Sequence, residues 1–292
     1  MLPAKLLKIG SNILCYPVCY LLNECITKGT FPKMLKYADV SPIYKKGNTM
    51  EVGNYRPVSV LPIMSKVFEK EIINQISPYF DTLLHPCVSG FRKGYSCETV
   101  LVKMVESIKC SLDKGKIVCG VLMDLSRAFD CVPHKLLIAK FRAYGVSVSA
   151  CDVITSYLTD RRQRVKIGTQ RSEWIHAHKG SAQGSIFGPF SYNVLTNDMF
   201  DLIDEDVEIY NYADDNTVLC SGKYLKEIKE KLLLNVNRLI SWYHANNMKI
   251  NSEKFQCIVF GNVDDPGEFT INNQSIVLKN GVKLFGFHID NK

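Results

Sequence analysis

The 292-residue chain is predicted to fold as an α+β protein, with helices packed on one side of a mainly antiparallel sheet. Three patterns support this prediction. The continuous apolar run Ile117–Met123 is typical of a strand that is buried on both faces. Residues 207–210 and 217–220 are rich in β-branched and aromatic side chains and flank a polar segment, which predicts a hairpin. Long segments with apolar residues at helical spacing supply the helices.

The spacing of apolar residues predicts the other elements in chain order. Helices are expected within residues 1–28 and at residues 65–80, 99–112, 134–144, 150–158, 187–200 and 225–246. Residues 164–168 and 173–175 predict a hairpin, and further strands are expected at residues 256–260 and 283–287. The chain has no low-complexity linker and no internal repeat. We therefore expect an N-terminal helical extension at residues 1–28, followed by one continuous domain at residues 29–292.

Composition narrows the class of protein. With 46% hydrophobic and 22% charged residues, the chain can bury a sizeable core. Its formal net charge of +7 suits a polyanionic partner. The eleven cysteines form no CxxC pair, so neither a zinc ribbon nor a disulfide framework is indicated, and a reducing compartment is expected. The apolar segment at residues 11–22 is too short to span a bilayer, and no signal peptide is found. No membrane association is therefore predicted.

Three aspartates carry the chemistry that the sequence predicts. Asp214 and Asp215 fall at the tip of the predicted hairpin, where two adjacent carboxylates repel each other unless a cation neutralises them. Asp oxygens without Cys or His nearby suit a hard ion such as Mg²⁺. An ordinary polar turn has the same composition, so this pair alone decides little. Asp124 ends the buried run, and beside the hairpin it would complete a cage for two divalent ions about 3.5–4 Å apart, as in phosphoryl transfer.

These segments resemble motifs of a known family. Residues 121–134 and 210–219 are similar to motifs A and C of reverse transcriptases, particularly those of non-LTR (LINE-type) retrotransposons. Six further segments show a similar resemblance. Residues 38–47 and 54–62 resemble the two fingers segments, and residues 90–99 resemble the segment that follows them. Residues 180–189, 242–254 and 282–286 resemble motifs B, D and E. The order is collinear over residues 30–290. The resemblance implies the fingers and palm of a right-hand polymerase, with the thumb largely absent.

The resemblance also implies an activity, cofactors and partners. It implies an RNA-directed DNA polymerase that uses two Mg²⁺ ions, with Mn²⁺ as an alternative, and acts in retrotransposition. Its expected partners are an RNA template, a DNA primer or target and deoxynucleoside triphosphates. The protein is expected inside the cell, in the nucleus or the cytoplasm, without a targeting signal; the oligomeric state is left open.

Site residues follow from the same resemblance. Asp124, Asp214, Asp215 and the Leu125 carbonyl are implied as metal ligands, and Lys254 as the general acid that protonates pyrophosphate. Phe129 is implied as a steric gate that collides with a 2′-hydroxyl. The implied nucleotide-binding residues are Lys45, Lys46, Arg56, Phe129, Gln183 and Gly184. The implied primer and template contacts are Arg92, Tyr212, Leu284 and Gly286. Ala182 stands where the family usually has proline, which loosens the loop before Gln183.

Two alternative functions stay open. The chain ends just beyond motif E and has no room for an upstream endonuclease, so we expect a fragment or a truncated copy of an element protein. A thumbless remnant that only binds nucleic acid is therefore the first alternative. A group II intron maturase or a telomerase-like enzyme is the second. Residues 128–134, with the sequence AFDCVPH, resemble the non-LTR group most closely.

Overall fold

The computed structural model describes residues 3–125, 128–271 and 274–291 of the chain. In chain order its α-helices are α1 (Ala4–Ile9), α2 (Ser11–Thr27), α3 (Ile63–Asp81), α4 (Cys97–Asp113), α5 (His134–Ala143), α6 (Val148–Leu158), α7 (Phe187–Thr196) and α8 (Leu225–Ala245). Short 3₁₀ helices lie at Lys33–Lys36, Val52–Asn54, Ala128–Cys131, Asn197–Leu202 and Ser252–Lys254. Among the described residues, no helix is long and apolar enough to cross a membrane.

The strands of the described residues form three sheets. In chain order they are β1 (Tyr37–Tyr44), β2 (Tyr55–Val60), β3 (Ile117–Met123), β4 (Arg161–Ile167), β5 (Gln170–Arg171), β6 (Ile175–Ala177), β7 (Val207–Tyr212), β8 (Asp215–Gly222), β9 (Gln256–Phe260), β10 (Phe269–Ile271), β11 (Gln274–Leu278), β12 (Gly281–Leu284) and β13 (Phe287–Asp290). The first sheet has the order β2-β1-β4-β5, with β6 also paired to β4. The second has the order β10-β11-β9-β3-β8-β7, and β12 pairs with β13 in the third.

The chain divides into two compact units. The first unit contains Met1–Leu83 and Phe129–Leu195. Its sheet joins β1 antiparallel to β2 and parallel to β4. Aromatic side chains from three helices meet in its interior, where the Phe80 ring lies edge-on to the Phe141 and Phe190 rings at 5.5 and 5.4 Å. Such edge-to-face pairs add stability beyond the apolar area that they bury.

The second unit contains Leu84–Ala128 and Thr196–Lys292. Its six-stranded sheet is antiparallel except where β11 runs parallel to β9. Strand β3 lies inside this sheet, between β8 and β9, and most of its residues on both faces are buried, which explains its continuous apolar sequence. Helices α4 and α8 both pack against the sheet. Ser96 begins α4 through a reciprocal capping box with Thr99, which satisfies backbone N–H groups at the helix start.

The structure confirms the α+β class and the mainly antiparallel sheet, and it corrects two local predictions. Residues 283–287 are not one strand, because Phe285 and Gly286 both have positive φ (51° and 90°) and form the turn between β12 and β13. The helix predicted at residues 187–200 stays α-helical only to Thr196, after which a 3₁₀ helix follows. The N-terminal segment forms two helices, α1 and α2, in which Leu22 is buried.

Candidate active site

Three aspartates emerge at one edge of the six-stranded sheet. Tyr212 pairs with Asp215 across the β7–β8 hairpin, so Ala213 and Asp214 form a two-residue turn. In the neighbouring strand, Met123 pairs with Asn216. Asp124 follows Met123 and therefore leaves the sheet beside the turn. The backbone thus brings Asp124, Asp214 and Asp215 to the same edge, although Asp215 is the first residue of β8 and not part of the turn itself.

Lys254 lies next to the first of these carboxylates. Its Nζ atom is 3.4 Å from Oδ2 of Asp124, and the two side chains are 53% and 47% exposed. An isolated antiparallel bridge between Leu125 and Ile250 holds the segment that leads to Lys254 beside the end of β3. An ion pair this exposed is worth little, about 0–1 kcal/mol, so the ammonium group is able to leave Asp124.

The carboxylate side chains lie at one edge of the sheet but do not converge on a common metal position. Within residues 3–125, 128–271 and 274–291, no three His, Cys, Asp or Glu side chains are placed to hold a metal ion together. The Asp124 carboxylate instead faces Lys254. The backbone is therefore arranged for a shared site, whereas the side chains are not.

The predicted primer residues surround the β12–β13 turn. The Tyr212 ring packs edge-on against Phe285 at 5.8 Å, which places this turn beside the end of β7. A hydrogen bond with Cys97 and partial burial raise the pKa of the Tyr212 hydroxyl. Leu284 is buried in the core, and Gly286 has open space around it. Leu284 therefore anchors the turn in the core, and the lack of a side chain at Gly286 leaves the backbone of the turn accessible.

Arg92 serves the internal structure of its own loop. Its Nη1 atom donates to the carbonyl oxygens of Val88 and His85 at 3.1 and 3.3 Å. The guanidinium carbon also lies 4.8 Å from the Tyr95 ring centre. Through these contacts Arg92 stabilises the loop at residues 85–95. The sequence did not indicate this structural role.

In the first unit, the basic residues predicted to bind the triphosphate lie on the β1–β2 hairpin. Arg56 on β2 pairs with Ile43, and Lys45 donates its backbone N–H to the Asn54 carbonyl at 2.9 Å. Lys45, Lys46 and Arg56 are all exposed. The hairpin therefore presents three cations at one end, which suits phosphate binding.

The loop that carries Gln183 is fastened to the same strand. Ser59 of β2 donates its N–H to the Gln183 carbonyl at 2.7 Å. A Cβ at Gly184 would lie 2.6 Å from the Ser59 carbonyl oxygen, and Gly184 has a φ of 121°. Glycine is therefore required there, both for the close approach and for the backbone angle.

The other end of this loop is fastened beside Phe129. Ser181 donates its N–H to the Phe129 carbonyl at 2.8 Å, and the Gln183 amide donates to Oδ1 of Asp130 at 2.9 Å. The Phe129 ring is half-buried and lies 4.7 Å from the Tyr192 ring. The first unit thus holds the loop that carries Gln183 beside Phe129, the predicted gate.

The family model for reverse transcriptase (RNA-dependent DNA polymerase) matches residues 43–289, which include every site residue described above. The chain belongs to the reverse transcriptase family. This match confirms the resemblance that the sequence motifs predicted.

The similar curated proteins come from mobile elements. The RNA-directed DNA polymerase from the mobile element jockey of Drosophila melanogaster is 29% identical over 284 residues, which cover 93% of this chain and 31% of that protein. The probable RNA-directed DNA polymerase from transposon BS of the same species is 30% identical over 80% of this chain and 26% of that protein. This reverse transcriptase chain therefore spans about a third or less of the length of these relatives.

Solved structures show the same fold at low sequence identity. Apo telomerase from Candida tropicalis, truncated from its C-terminal domain, superposes with a TM-score of 0.62 at 13% identity, covering 89% of this chain and 54% of that chain. Telomerase from Candida albicans, in complex with a fragment of telomeric RNA, gives a TM-score of 0.58 at 12% identity over 90% of this chain and 47% of that one. The reverse transcriptase chain thus has the fingers and palm fold.

The residues at the sheet edge fit divalent ions by their chemistry. Carboxylate oxygens without nearby thiolate or imidazole suit hard ions such as Mg²⁺. Asp124 and Asp214 are half-buried and Asp215 is exposed, so all three are within reach of solvent. The Lys254 ammonium lies beside the Asp124 carboxylate at this edge.

Several supporting residues were missed by sequence reasoning. Asn211, Asn216 and Tyr243 form a buried hydrogen-bonded chain beneath the Asp214 turn. Glu69 accepts hydrogen bonds at the start of α7, and Asp130 orients Gln183. An asparagine on each strand, flanking the two aspartates, was the available signal for the first group. Glu69 lies more than a hundred residues from its partners, so the sequence carries no local sign of its role.

Proposed function

We propose that this reverse transcriptase chain catalyses RNA-directed DNA synthesis, adding deoxynucleotides to a primer on an RNA template. The convergence of Asp124, Asp214 and Asp215 at one sheet edge is the observation that carries this proposal. The primer 3′-oxygen forms a bond to the α-phosphorus while the bond from that phosphorus to pyrophosphate breaks, and the hydroxyl proton passes to water.

The chain's own residues have defined tasks in this proposal. Asp124, Asp214, Asp215 and the Leu125 carbonyl would hold two Mg²⁺ ions, or Mn²⁺ in their place. When bound, such ions stabilise negative charge on the phosphoryl oxygens. Lys45, Lys46 and Arg56 bind the triphosphate, and Gln183 and Gly184 line the nucleotide pocket. Phe129 excludes the 2′-hydroxyl. Lys254 leaves Asp124 and donates a proton to the departing pyrophosphate.

The nucleic-acid partners are proposed from charge and relatives. The net charge of +7 favours an RNA template and a DNA primer or target, bound without sequence preference through phosphates. Arg92, Tyr212 and the β12–β13 turn at Gly286 are the proposed primer and template contacts, with Leu284 supporting the turn. Retrotransposition is the proposed setting, inside the cell, because the similar curated proteins come from mobile elements.

Primer extension on an RNA template with Mg²⁺ tests the proposal, with Asp214→Asn as the variant. Loss of several kcal/mol of transition-state stabilisation predicts a rate decrease of about 1,000-fold or more. Asp264→Asn is the matched control, because Asp264 is an exposed loop carboxylate of the same unit. It should retain the parent activity. Both variants should keep the parent melting temperature and template affinity.

Two outcomes would contradict the proposal. Equal activity of Asp214→Asn and the parent would remove the assignment of the carboxylate site. Template binding by the parent without any nucleotide addition would favour the alternative, a remnant that only binds nucleic acid.

A further inference from the structure

The turn that carries Asp214 has an unfavourable backbone conformation. Ala213 has a φ of 57°, in the left-handed region, and its side chain is buried. A positive φ at the first residue of a two-residue hairpin turn is normally supplied by glycine. For alanine the same conformation costs about 1–2 kcal/mol. Other contacts must therefore hold this turn in place.

One set of contacts comes from the backbone of residues 88–90. Val88 forms an isolated parallel bridge with Asn211 at the end of β7. Two residues later, a Cβ at Gly90 would lie 2.4 Å from the Ala213 nitrogen and 2.9 Å from its Cα. Only glycine permits this approach, which confines the turn from one side.

The second set is a chain of buried side-chain hydrogen bonds. The Asn211 amide donates to the Ala213 carbonyl at 2.9 Å and to Oδ1 of Asn216 at 3.0 Å. The Asn216 amide donates to the Tyr243 hydroxyl at 2.9 Å, and this hydroxyl donates to the sulfur of Met199 at 3.3 Å. Asn211, Asn216 and Tyr243 are at most 3% exposed. The chain runs from the strained turn to helix α8.

Burying these polar groups is costly unless each is hydrogen-bonded, and apolar side chains of similar shape would fill the same space without that requirement. Within this chain of hydrogen bonds, only the one from Asn211 to the Ala213 carbonyl acts directly on the backbone of the turn. An apolar side chain at position 211 could not supply that bond.

We propose that Asn211 is a positioning residue for the Asp214 turn, and that Asn216 and Tyr243 orient its amide. The proposal rests on the proposed function, because it concerns how the polymerase carboxylates are held. Displacing a reacting group by about 1 Å can cost about 100-fold in rate, so a modest relaxation of the turn would be measurable.

Asn211→Val tests the proposal in single-nucleotide extension. The variant should lower kcat by about tenfold or more, while the KM for template–primer changes less than about twofold. Thr217→Val is the matched control. Thr217 is buried on β8 of the same hairpin, and its hydroxyl has no hydrogen-bond partner among the described residues. This control should keep the parent kcat. An equal loss in both variants would overturn the proposal.

Ala213→Gly separates positioning from general stability. Glycine adopts the left-handed conformation freely, so the turn then depends less on Asn211. In this background Asn211→Val should lower kcat by less than about threefold, a non-additive result expected for groups in contact. The same loss in both backgrounds would show that Asn211 does not act through the turn.

A further variant and a binding measurement keep the outcome decisive. If Asn211→Val fails to fold, Tyr243→Phe removes one hydroxyl from the chain of hydrogen bonds and should lower kcat by about fivefold, with folding retained. An unchanged kcat would overturn the proposal.

If the parent adds no nucleotides, the proposed function fails by itself. Mn²⁺ titration followed by electron paramagnetic resonance then tests the positioning: weaker binding by Asn211→Val than by Thr217→Val supports it, and equal binding overturns it.

Discussion

Phe129, the proposed steric gate, also has a packed side chain. The motif resemblance predicted its role as a gate, and the structure adds that its ring rests on Tyr192 at 4.7 Å while remaining half-buried. The Phe129 carbonyl also accepts the Ser181 N–H, so the loop that carries Gln183 fixes the backbone of Phe129. A supported ring can exclude a hydroxyl, because it cannot turn aside at low cost.

Phe129→Val tests this role at the scale of one residue. Removing the ring should increase the use of ribonucleotides relative to deoxynucleotides by about 10- to 100-fold, since a steric difference of this size is worth 1–3 kcal/mol. The ratio of kcat/KM for the two nucleotide classes measures it. Addition of deoxynucleotides by the same variant is the internal control and should change much less. An unchanged ratio would assign Phe129 to the core alone.

Lys254 shows what a motif leaves undecided about a residue. Its match to the motif D lysine implied a general acid, and no local pattern indicated its partner. The ion pair with Asp124 depends on the bridge between Leu125 and Ile250, which lie 125 positions apart in the chain.

At the scale of elements, helix α7 depends on a residue from another helix. Glu69 on α3 is fully buried, and its Oε2 atom accepts the N–H groups of Ile186 and Phe187 at 2.7 and 3.3 Å. Ser65 donates to the other oxygen at 2.9 Å. A carboxylate at a helix start satisfies free N–H groups and interacts favourably with the helix dipole. The loop that ends at α7 is therefore anchored by α3.

Glu69→Leu should destabilise the protein by about 2–4 kcal/mol, because two buried N–H groups and the Ser65 hydroxyl lose their acceptor. Urea denaturation measures the free energy of unfolding. Glu71→Leu, two positions along the same helix, is the control, since Glu71 accepts only a surface bond from Gln75 in the described part of α3. Its effect should stay within about 0.5 kcal/mol. Similar losses in the two variants would argue against the anchoring role.

At the scale of the whole molecule, two half-buried histidines connect stability to pH. Burial lowers the pKa of His134 below its ordinary 6.5, and the positive charges of Arg161 and His178 lower it further, against a hydrogen bond with the Gly180 carbonyl that raises it. Burial also lowers the pKa of His85, against the charge of Asp201. Because the unfolded chain binds these protons more readily, stability is fully present above pH 6.5 and decreases as the pH falls below it.

We therefore expect a smaller free energy of unfolding at pH 5.5 than at pH 7.5, measured by urea denaturation. His134→Gln keeps a donor near the Gly180 carbonyl but does not titrate, so its decrease between the two pH values should be smaller. His85 should account for part of what remains. A decrease in His134→Gln as large as in the parent would show that His134 does not contribute to the pH dependence of stability.

The sequence by itself determined the fold class and the family, and it proposed the three aspartates as site residues. Each of these follows from local information: a buried apolar run that ends in Asp124, a hairpin around Asp214, and motifs in a collinear order. Local patterns also determined most helix positions, because the spacing of apolar residues reflects one buried face. The strand at residues 283–287 was predicted wrongly, because the positive φ of Phe285 is not visible in a residue type that rarely adopts it.

Only the tertiary structure decided how these groups are held. Asn211 meets Tyr243 through Asn216, Glu69 meets Ile186, and Lys254 meets Asp124 across long separations in the chain. The close approach of Gly90 to Ala213 likewise depends on two segments that are distant in sequence. Hydrogen bonds and steric contacts act over a few ångströms in space, whereas a sequence pattern reports only neighbours along the chain. For this reason the sequence could propose the chemical groups but not the contacts that support them.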